Sequence, residues 1–427
     1  INWAWGDSAE TVAVQAYVID SQSASDTDNY ASVFGVEAHL TSFSLAVNDY
    51  RCNPSQTLTM SGYWYYDGTS IAPPDGNYNV VVKLSGVQKG STDTTLVSGA
   101  FSISDVTAES SISSYSYTVE ATYMSGAGSF SAVIVDRIKV SSYTVSDSRA
   151  NINDSVNIDA TLVYEYSSTA VTTGTITINT YSASHQGSGV YRITRTSSSV
   201  TSVTYNTVAG SESTHDLNTV NQNSQSTTVI WDNIVVSGKG VTVGRTNINS
   251  YQQYWFTLRS QYDSAVVSSG TVTLNGSLSA SWISARSRWE YNTTKSSAQA
   301  QALYAASVNW DTYGITSLSS QTSNSTSIVW DNIVVSGKGV TSTRLNINSY
   351  AQYWFTLRSQ YDGTPVQVGT VSLNGSVSAS YISARTRWEY NVTKSTVQKM
   401  SLYVASVSWS MYDITSLSSQ TANYTTI

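Results

Sequence analysis

The sequence predicts an all-β protein, a rod-like tandem array of seven-stranded β-sandwiches, and three observations carry that expectation. Charged residues make up only 11 % of the 427 residues, less than half the usual quarter, which removes the Glu/Lys/Arg vocabulary of coiled coils and solvated helices. The apolar residues are aromatic and β-branched: Tyr (30) outnumbers Phe (6), 12 Trp are present, and about three residues in ten are Ser or Thr. That mixture suits a pleated surface. The third observation is a repeat of period 99, seen in the run Trp231-Asp232-Asn233-Ile234-Val235-Val236-Ser237-Gly238-Lys239-Gly240, which returns unchanged as Trp330 to Gly339.

The repeat sets the domain plan. The units 230–328 and 329–427 are about seven-tenths identical. Two divergent copies precede them, 34–134 and 135–229, recognised by landmarks kept in order. Val135-Asp136-Arg137-Ile138 opens the second copy, and an Arg-x-Asn loop recurs as Arg51/Asn53, Arg149/Asn151, Arg245/Asn247 and Arg344/Asn346. A hairpin follows each loop, at Tyr66-Asp67-Gly68, Tyr166-Ser167-Ser168, Tyr262-Asp263-Ser264 and Tyr361-Asp362-Gly363. Asp-Gly between alternating strands is a strong hairpin signal because Gly takes φ > 0 freely. Residues 1–33 match the back third of a unit, with Trp3-Ala4-Trp5 standing where Trp289-Glu290-Tyr291 stands. These orphan strands need a partner, in a longer array or a neighbouring chain.

Seven strands are expected in the third unit: Ile230 to Val236, Gln253 to Arg259, Thr271 to Leu274, Ser279 to Ser284, Arg288 to Asn292, Ala302 to Asn309 and Thr326 to Trp330. Alternation is clear in Tyr254-Trp255-Phe256-Thr257-Leu258, one face apolar and the other hydroxylated. The Gly-Lys-Gly stretches around Lys239 and Lys338 read as exposed turns. No Gly/Pro linker separates one unit from the next, so the joints are expected to be stiff.

Short strands with turn signals every 8 to 12 residues fit an immunoglobulin-like or fibronectin-III-like sandwich. The opening Trp/Val-Asp strand, Arg-x-Asn loop, Tyr-Asp-Gly-Thr hairpin and Gly-Thr-Val/Ile strand (Gly174-Thr175-Ile176, Gly270-Thr271-Val272, Gly369-Thr370-Val371) resemble tandem Ig-like repeats of prokaryotic, especially archaeal, secreted surface and filament proteins. The resemblance implies structural or adhesive work at the cell surface and carries no catalytic residues. The first unit departs most from the pattern, with Cys52, Pro54 and Pro73-Pro74.

Net charge −7 with scattered cations argues against nucleic acid. The lone Cys52 makes no intrachain disulfide, and no apolar run reaches the length of a membrane span. His39, His185 and His215 have no counterpart in the last two units, and no catalytic or zinc motif is present. The chain is therefore expected to be non-enzymatic, without a cofactor. Calcium is the one metal reading, at the junction residues Asp136, Asp232 and Asp331, against hydrogen-bonded turn carboxylates.

The Arg-x-Asn loop is expected to answer a demand of the module and not of one ligand site, its Arg bonding backbone carbonyls or a carboxylate while its Asn accepts the turn geometry. Seven Asn-x-Ser/Thr sequons, at Asn153, Asn275, Asn292, Asn324, Asn374, Asn391 and Asn423, are about the number that chance supplies. They are candidates for N-glycans if the chain is secreted, those in turns such as Asn275 and Asn374 first.

The functional expectation is an extracellular structural subunit, a filament or surface-layer stalk completed head to tail by a neighbouring chain or repeat, by strand addition at an open sheet edge in the case of a chain. The junction set is Ile1, Trp3, Trp5, Trp231, Asp232, Trp330, Asp331 and Ile427. The alternative is a cell-surface adhesin or carbohydrate-binding array.

Overall fold

A computed structural model describes residues 14–19, 25–30, 40–66, 70–73, 75–121, 126–319, 322–418 and 423–427. Of the expected junction residues, Ile1, Trp3 and Trp5 lie outside these, as does His39 among the histidines considered. Among the described residues nothing longer than a single 3-10 turn interrupts the strands, and no helix is long and apolar enough to cross a membrane.

The chain divides into two compact units. The first comprises residues 1–148, 156–195 and 203–229, and the second 149–155, 196–202 and 230–427. In the first, Val14–Ile19 pairs antiparallel with Ser25–Tyr30. Leu40–Val47, Thr57–Tyr66 and Ala100–Thr107 form one sheet, and Gly126–Ser129, Tyr117–Ala121, Val80–Leu84 and Val87–Asp93 another. Between them Trp64, Leu58, Val82 and Tyr117 are wholly buried. A seven-stranded sheet then follows with Val190–Arg195 in its middle and Val156–Tyr164 beside it, the side chains of the latter alternating between the core and the surface.

The second unit shows why the strand pattern is so regular. In Gln252–Ser260 every second residue (Tyr254, Phe256, Leu258) points into the core and the others face outward. Each such side chain contributes about 1.5–3 kcal/mol when fully buried. The sheet order is Ile234–Val241, Gln252–Ser260, Arg288–Thr293, Leu278–Ile283, Thr271–Leu274, Ala305–Asn309. It is faced by a three-stranded sheet of Arg245–Asn247, Thr326–Asp331 and Gln299–Leu303. The next 99 residues repeat the six-stranded order, from Ile333–Val340 to Val404–Ser408.

Of these nine segments, the seven expected strands account for eight, one of them being split, and Arg245–Asn247 is the ninth. The strand expected at Ala302 to Asn309 is interrupted at Tyr304, whose backbone N–H donates to Asn275 Oδ1 at 2.8 Å while Asn275 Nδ2 donates to the Ala302 carbonyl at 3.0 Å. The opening strand expected at Ile230 to Val236 is two strands, Thr227–Asp232 and Ile234–Val241. Asn233 separates them because Asp232 Oδ1 accepts its N–H. Correspondingly, Trp330 packs in the core that begins at Ile234, and Ile333 opens the next core.

The Gly-Lys-Gly stretch is strand and not turn, with a bulge between Val236 and Gly238. A Cβ on Gly240 would lie 2.5 Å from the Trp255 ring, so glycine here makes room for an indole. Lys239 donates to the Ser323 carbonyl at 2.9 Å.

The Gly-Thr-Val landmark also has a steric cause. Gly270 has φ +89°, and a Cβ there would sit 1.9 Å from the Asn309 carbonyl oxygen; at Gly369 the values are +114° and 1.8 Å from Ser408. Gly270→Ala is expected to destabilise the chain by more than about 2 kcal/mol, combining positive-φ strain with a backbone clash. Denaturant unfolding would show the lowered midpoint; Gly276→Ala, also at positive φ but with open space around it, separates the clash from the strain.

Candidate functional site: the arginine clamps

The side chains of the Arg-x-Asn segments converge with groups from distant sequence. In the second unit, Arg149–Asn151 is a short strand running parallel to Ile230-Trp231-Asp232. Arg149 Nε and Nη2 both donate to Asp232 Oδ2, at 3.0 and 2.6 Å. Nη1 donates to Asp263 at 3.0 Å and Nη2 also to Ser260 Oγ at 2.8 Å. The guanidinium lies 4.3 Å from the Tyr313 ring centroid and 5.2 Å from that of Trp310. Arg149 is 6 % exposed and Asp232 0 %. Two residues on, Asn151 Oδ1 accepts the backbone N–H groups of Thr316 and Ser317 at 2.6 and 2.8 Å.

The same arrangement is built again around Arg245. Its partners are Asp331 (3.0 and 2.6 Å), Asp362 and Ser359, with Tyr412 and Trp409 under the guanidinium at 4.6 and 5.2 Å. Asn247 Oδ1 accepts from the Thr415 and Ser416 amides. In the first unit Arg51 donates to Asp136 at 3.0 Å and Ser167 at 3.0 Å and lies 4.4 Å over Tyr164, while Asn53 Oδ1 accepts from Asn218 and Thr219. The carboxylate that each Arg meets and the turn backbone that each Asn holds belong to the following repeat. The features met there are the opening Asp, the Tyr-led hairpin and a later cross-turn, which is Trp-x-x-Tyr for Arg149 and Arg245 and Glu212-x-x-His215 for Arg51.

The electrostatics follow from this geometry. The hydrogen bond from Arg149 holds the Asp263 carboxyl well below the usual carboxylate range. Burial pushes Asp362 up, but the hydrogen bond from Arg245 and those of the hairpin outweigh it and bring it below that range too. Both arginines lose some preference for the charged form through burial and regain more from their two aspartates.

Calcium has no room at these junctions. Asp232 Oδ1 accepts from the Asn233 and Tyr262 amides, and Oδ2 from Arg149 and Ser260. Asp331 accepts from Asn332, Tyr361 and Arg245, and Asp136 from Arg137, Tyr166 and Arg51. The lone pairs a hard cation would use face donors, and an arginine supplies the positive charge.

The remaining junction residues fall beside the clamps. Trp231 and Trp330 are buried, their indole N–H groups donating to the carbonyls of Asp154 and Ser250. Ile427 exchanges backbone hydrogen bonds with Met400. Of the sequons, Asn275 and Asn374 spend both ends of their amides on strand backbone, Asn374 bridging Ser401 and Tyr403. They are structural bridges between strands. Asn292 and Asn391 are exposed on strands and Asn153 in a turn, while Asn324 and Asn423 are half-buried.

This is a sandwich of two sheets in which the first strand crosses from one sheet to the other. The fold is immunoglobulin-like. No protein-family model and no curated protein matches the chain. Similar solved structures include invasin, a bacterial integrin-binding protein, at 14 % identity over 88 % of this chain and 78 % of that one, TM-score 0.29. FdeC, an Escherichia coli adhesin, is 11 % identical over 68 % and 96 %, TM-score 0.26. An ICAM-5 ectodomain fragment is 8 % identical over 87 % and 96 %, TM-score 0.30. Overlays this loose do not bear on function, which is read below from the chain's own residues.

Proposed function

We propose that the chain is a non-enzymatic, extracellular structural subunit whose Ig-like repeats are locked one to the next by the arginine clamps, and that copies assemble head to tail into a filament or surface-layer stalk. The supporting observation is the repeated use of one device. Three Arg-x-Asn segments grip the next repeat, and the fourth, Arg344-Leu345-Asn346, has the same chemistry and is exposed, with Ile347 54 % exposed beside it. An exposed guanidinium and side-chain amide of this type fit the Asp, Tyr-Asp hairpin and Trp-x-x-Tyr turn of an equivalent repeat, on a second copy or in a further stretch of chain. N-glycans, where the chain is secreted, belong on Asn292 and Asn391, away from the clamps.

Negative-stain microscopy across a concentration series tests the reading. Long regular fibres are expected from the wild-type chain, and Arg344→Ala with Asn346→Ala is expected to shorten them to monomers without lowering the unfolding midpoint. Monomers only at high concentration would sink the filament reading, and monomers that bind a glycan array would replace it with the adhesive one.

A further inference from the structure

The three described clamps are not equivalent, and the Arg51 clamp differs from the other two at several positions. Matching cross-turn pairs, Glu212 with Leu217, Trp310 with Ile315 and Trp409 with Ile414, place His215 where the later repeats have Tyr313 and Tyr412. Arg149 and Arg245 stack on those tyrosines. Arg51 instead contacts His215 edge-on, Nη1 to Nε2 at 3.2 Å. A guanidinium only donates, so this contact requires Nε2 to be the unprotonated, accepting nitrogen. Protonated, the imidazole has no acceptor to offer and sets a second cation against Arg51. Ser167 also stands where Asp263 and Asp362 give the later clamps a second carboxylate, so Arg51 leans more on the histidine.

We infer that His215 makes the Arg51 clamp acid-sensitive: as pH falls through the range where an imidazole takes up a proton, the joint between the first and second repeats loosens while the joints at Arg149 and Arg245 stay closed.

The surroundings of His215 allow this assignment. Tyr164 meets its ring edge at 5.5 Å. Glu212, from the same turn, accepts the His215 backbone N–H, and Asp136 lies on the far side of Arg51. Asp49, which accepts the Arg51 backbone N–H, and Asp216 line the open cleft beside the clamp. Burial pushes Glu212 up, but hydrogen bonds from Thr173, Thr214 and the Thr214 and His215 amides bring it to about 2, so it stays ionised throughout. None of these acids gives Arg51 an acceptor in place of Nε2. The sign is that of a group needed neutral in the closed state: closure is complete where the imidazole is unprotonated and weakens as it takes up a proton.

Hydrogen exchange read by mass spectrometry on the full chain tests the inference at the amides that Asn53, Asn151 and Asn247 hold. Between pH 7.5 and 5.0, after correction for intrinsic exchange, protection in a peptide covering 214–220 is expected to fall about tenfold, as one titrating group allows. Peptides covering 312–318 and 411–417 should not change. His215→Gln, which still accepts from Arg51 but does not titrate, should keep its protection at both pH values, and His215→Tyr should do so by stacking. Unchanged protection in the wild type overturns the inference, and so does a fall that survives in His215→Gln.

Discussion

Arg149→Ala is expected to lower stability by about 3–5 kcal/mol, because it leaves Asp232 ionised, 0 % exposed and without its counter-charge. Ser260 Oγ and the Asn233 and Tyr262 amides still donate to that carboxylate, but they bring no net charge. Truncation also removes the cation from the face of Tyr313. Differential scanning calorimetry should show the loss, and hydrogen exchange should place it at Thr316 and Ser317, whose amides Asn151 holds two residues away. Arg149→Lys is expected to recover less than half of it, since an ammonium does not reproduce the fork that meets Asp232, Asp263 and Ser260 together. A loss under about 1 kcal/mol would mean that the clamp is solvated and contributes as a surface ion pair does.

The clamps also predict an acid limit. Asp263 and Asp362 are held below the ordinary carboxylate range in the folded chain. Their contribution is complete above about pH 4, the unfolded value, and is lost as pH falls further toward the folded one.

Much of this was legible in the sequence, and the part that was not has a definite physical cause. The repeat and the alternation of Tyr254-Trp255-Phe256 follow from local periodicity, and the structure keeps them. The Arg-x-Asn segments were visible as a demand of the module. Their partners were not, because Arg149 meets groups 83 to 114 residues away that only the following repeat supplies. The signal that was available is co-occurrence: an opening Asp and a hairpin Tyr follow Arg51, Arg149 and Arg245 in the next repeat. Junction aspartates suggested a cation for a sound reason, a carboxylate needing positive charge, but the charge comes from guanidinium. The breaks at Asn233 and Tyr304 are invisible to hydropathy, since a side-chain carbonyl, on Asp232 or Asn275, replaces one ladder hydrogen bond while the apolar alternation runs on.

Trp330→Ala is the second large effect expected, and it is larger than a core cavity alone would give. The indole is 0 % exposed among the residues from Ile234 to Ile328, so truncation costs about 3–5 kcal/mol. Trp330 is also one residue from Asp331 on a strand whose register, Arg245 with Val329, Thr246 with Trp330 and Asn247 with Asp331, sets the distance between guanidinium and carboxylate. Collapse around the cavity shifts that strand and loosens the Arg245 clamp with it. Trp330→Ala and Arg245→Ala are therefore expected to be non-additive, the double variant losing at least about 1 kcal/mol less than the two single losses together. Trp330→Phe, which keeps most of the volume and forfeits the bond to the Ser250 carbonyl, should cost about 1–2 kcal/mol and leave the Thr415 and Ser416 amides protected. Additive losses would mean that the core of the repeat and the clamp at its edge are independent. Coupling means that one strand carries both, its tryptophan turned inward to the core and its aspartate to the next repeat's arginine-bearing neighbour, so that strain at a joint is borne by the sandwich behind it.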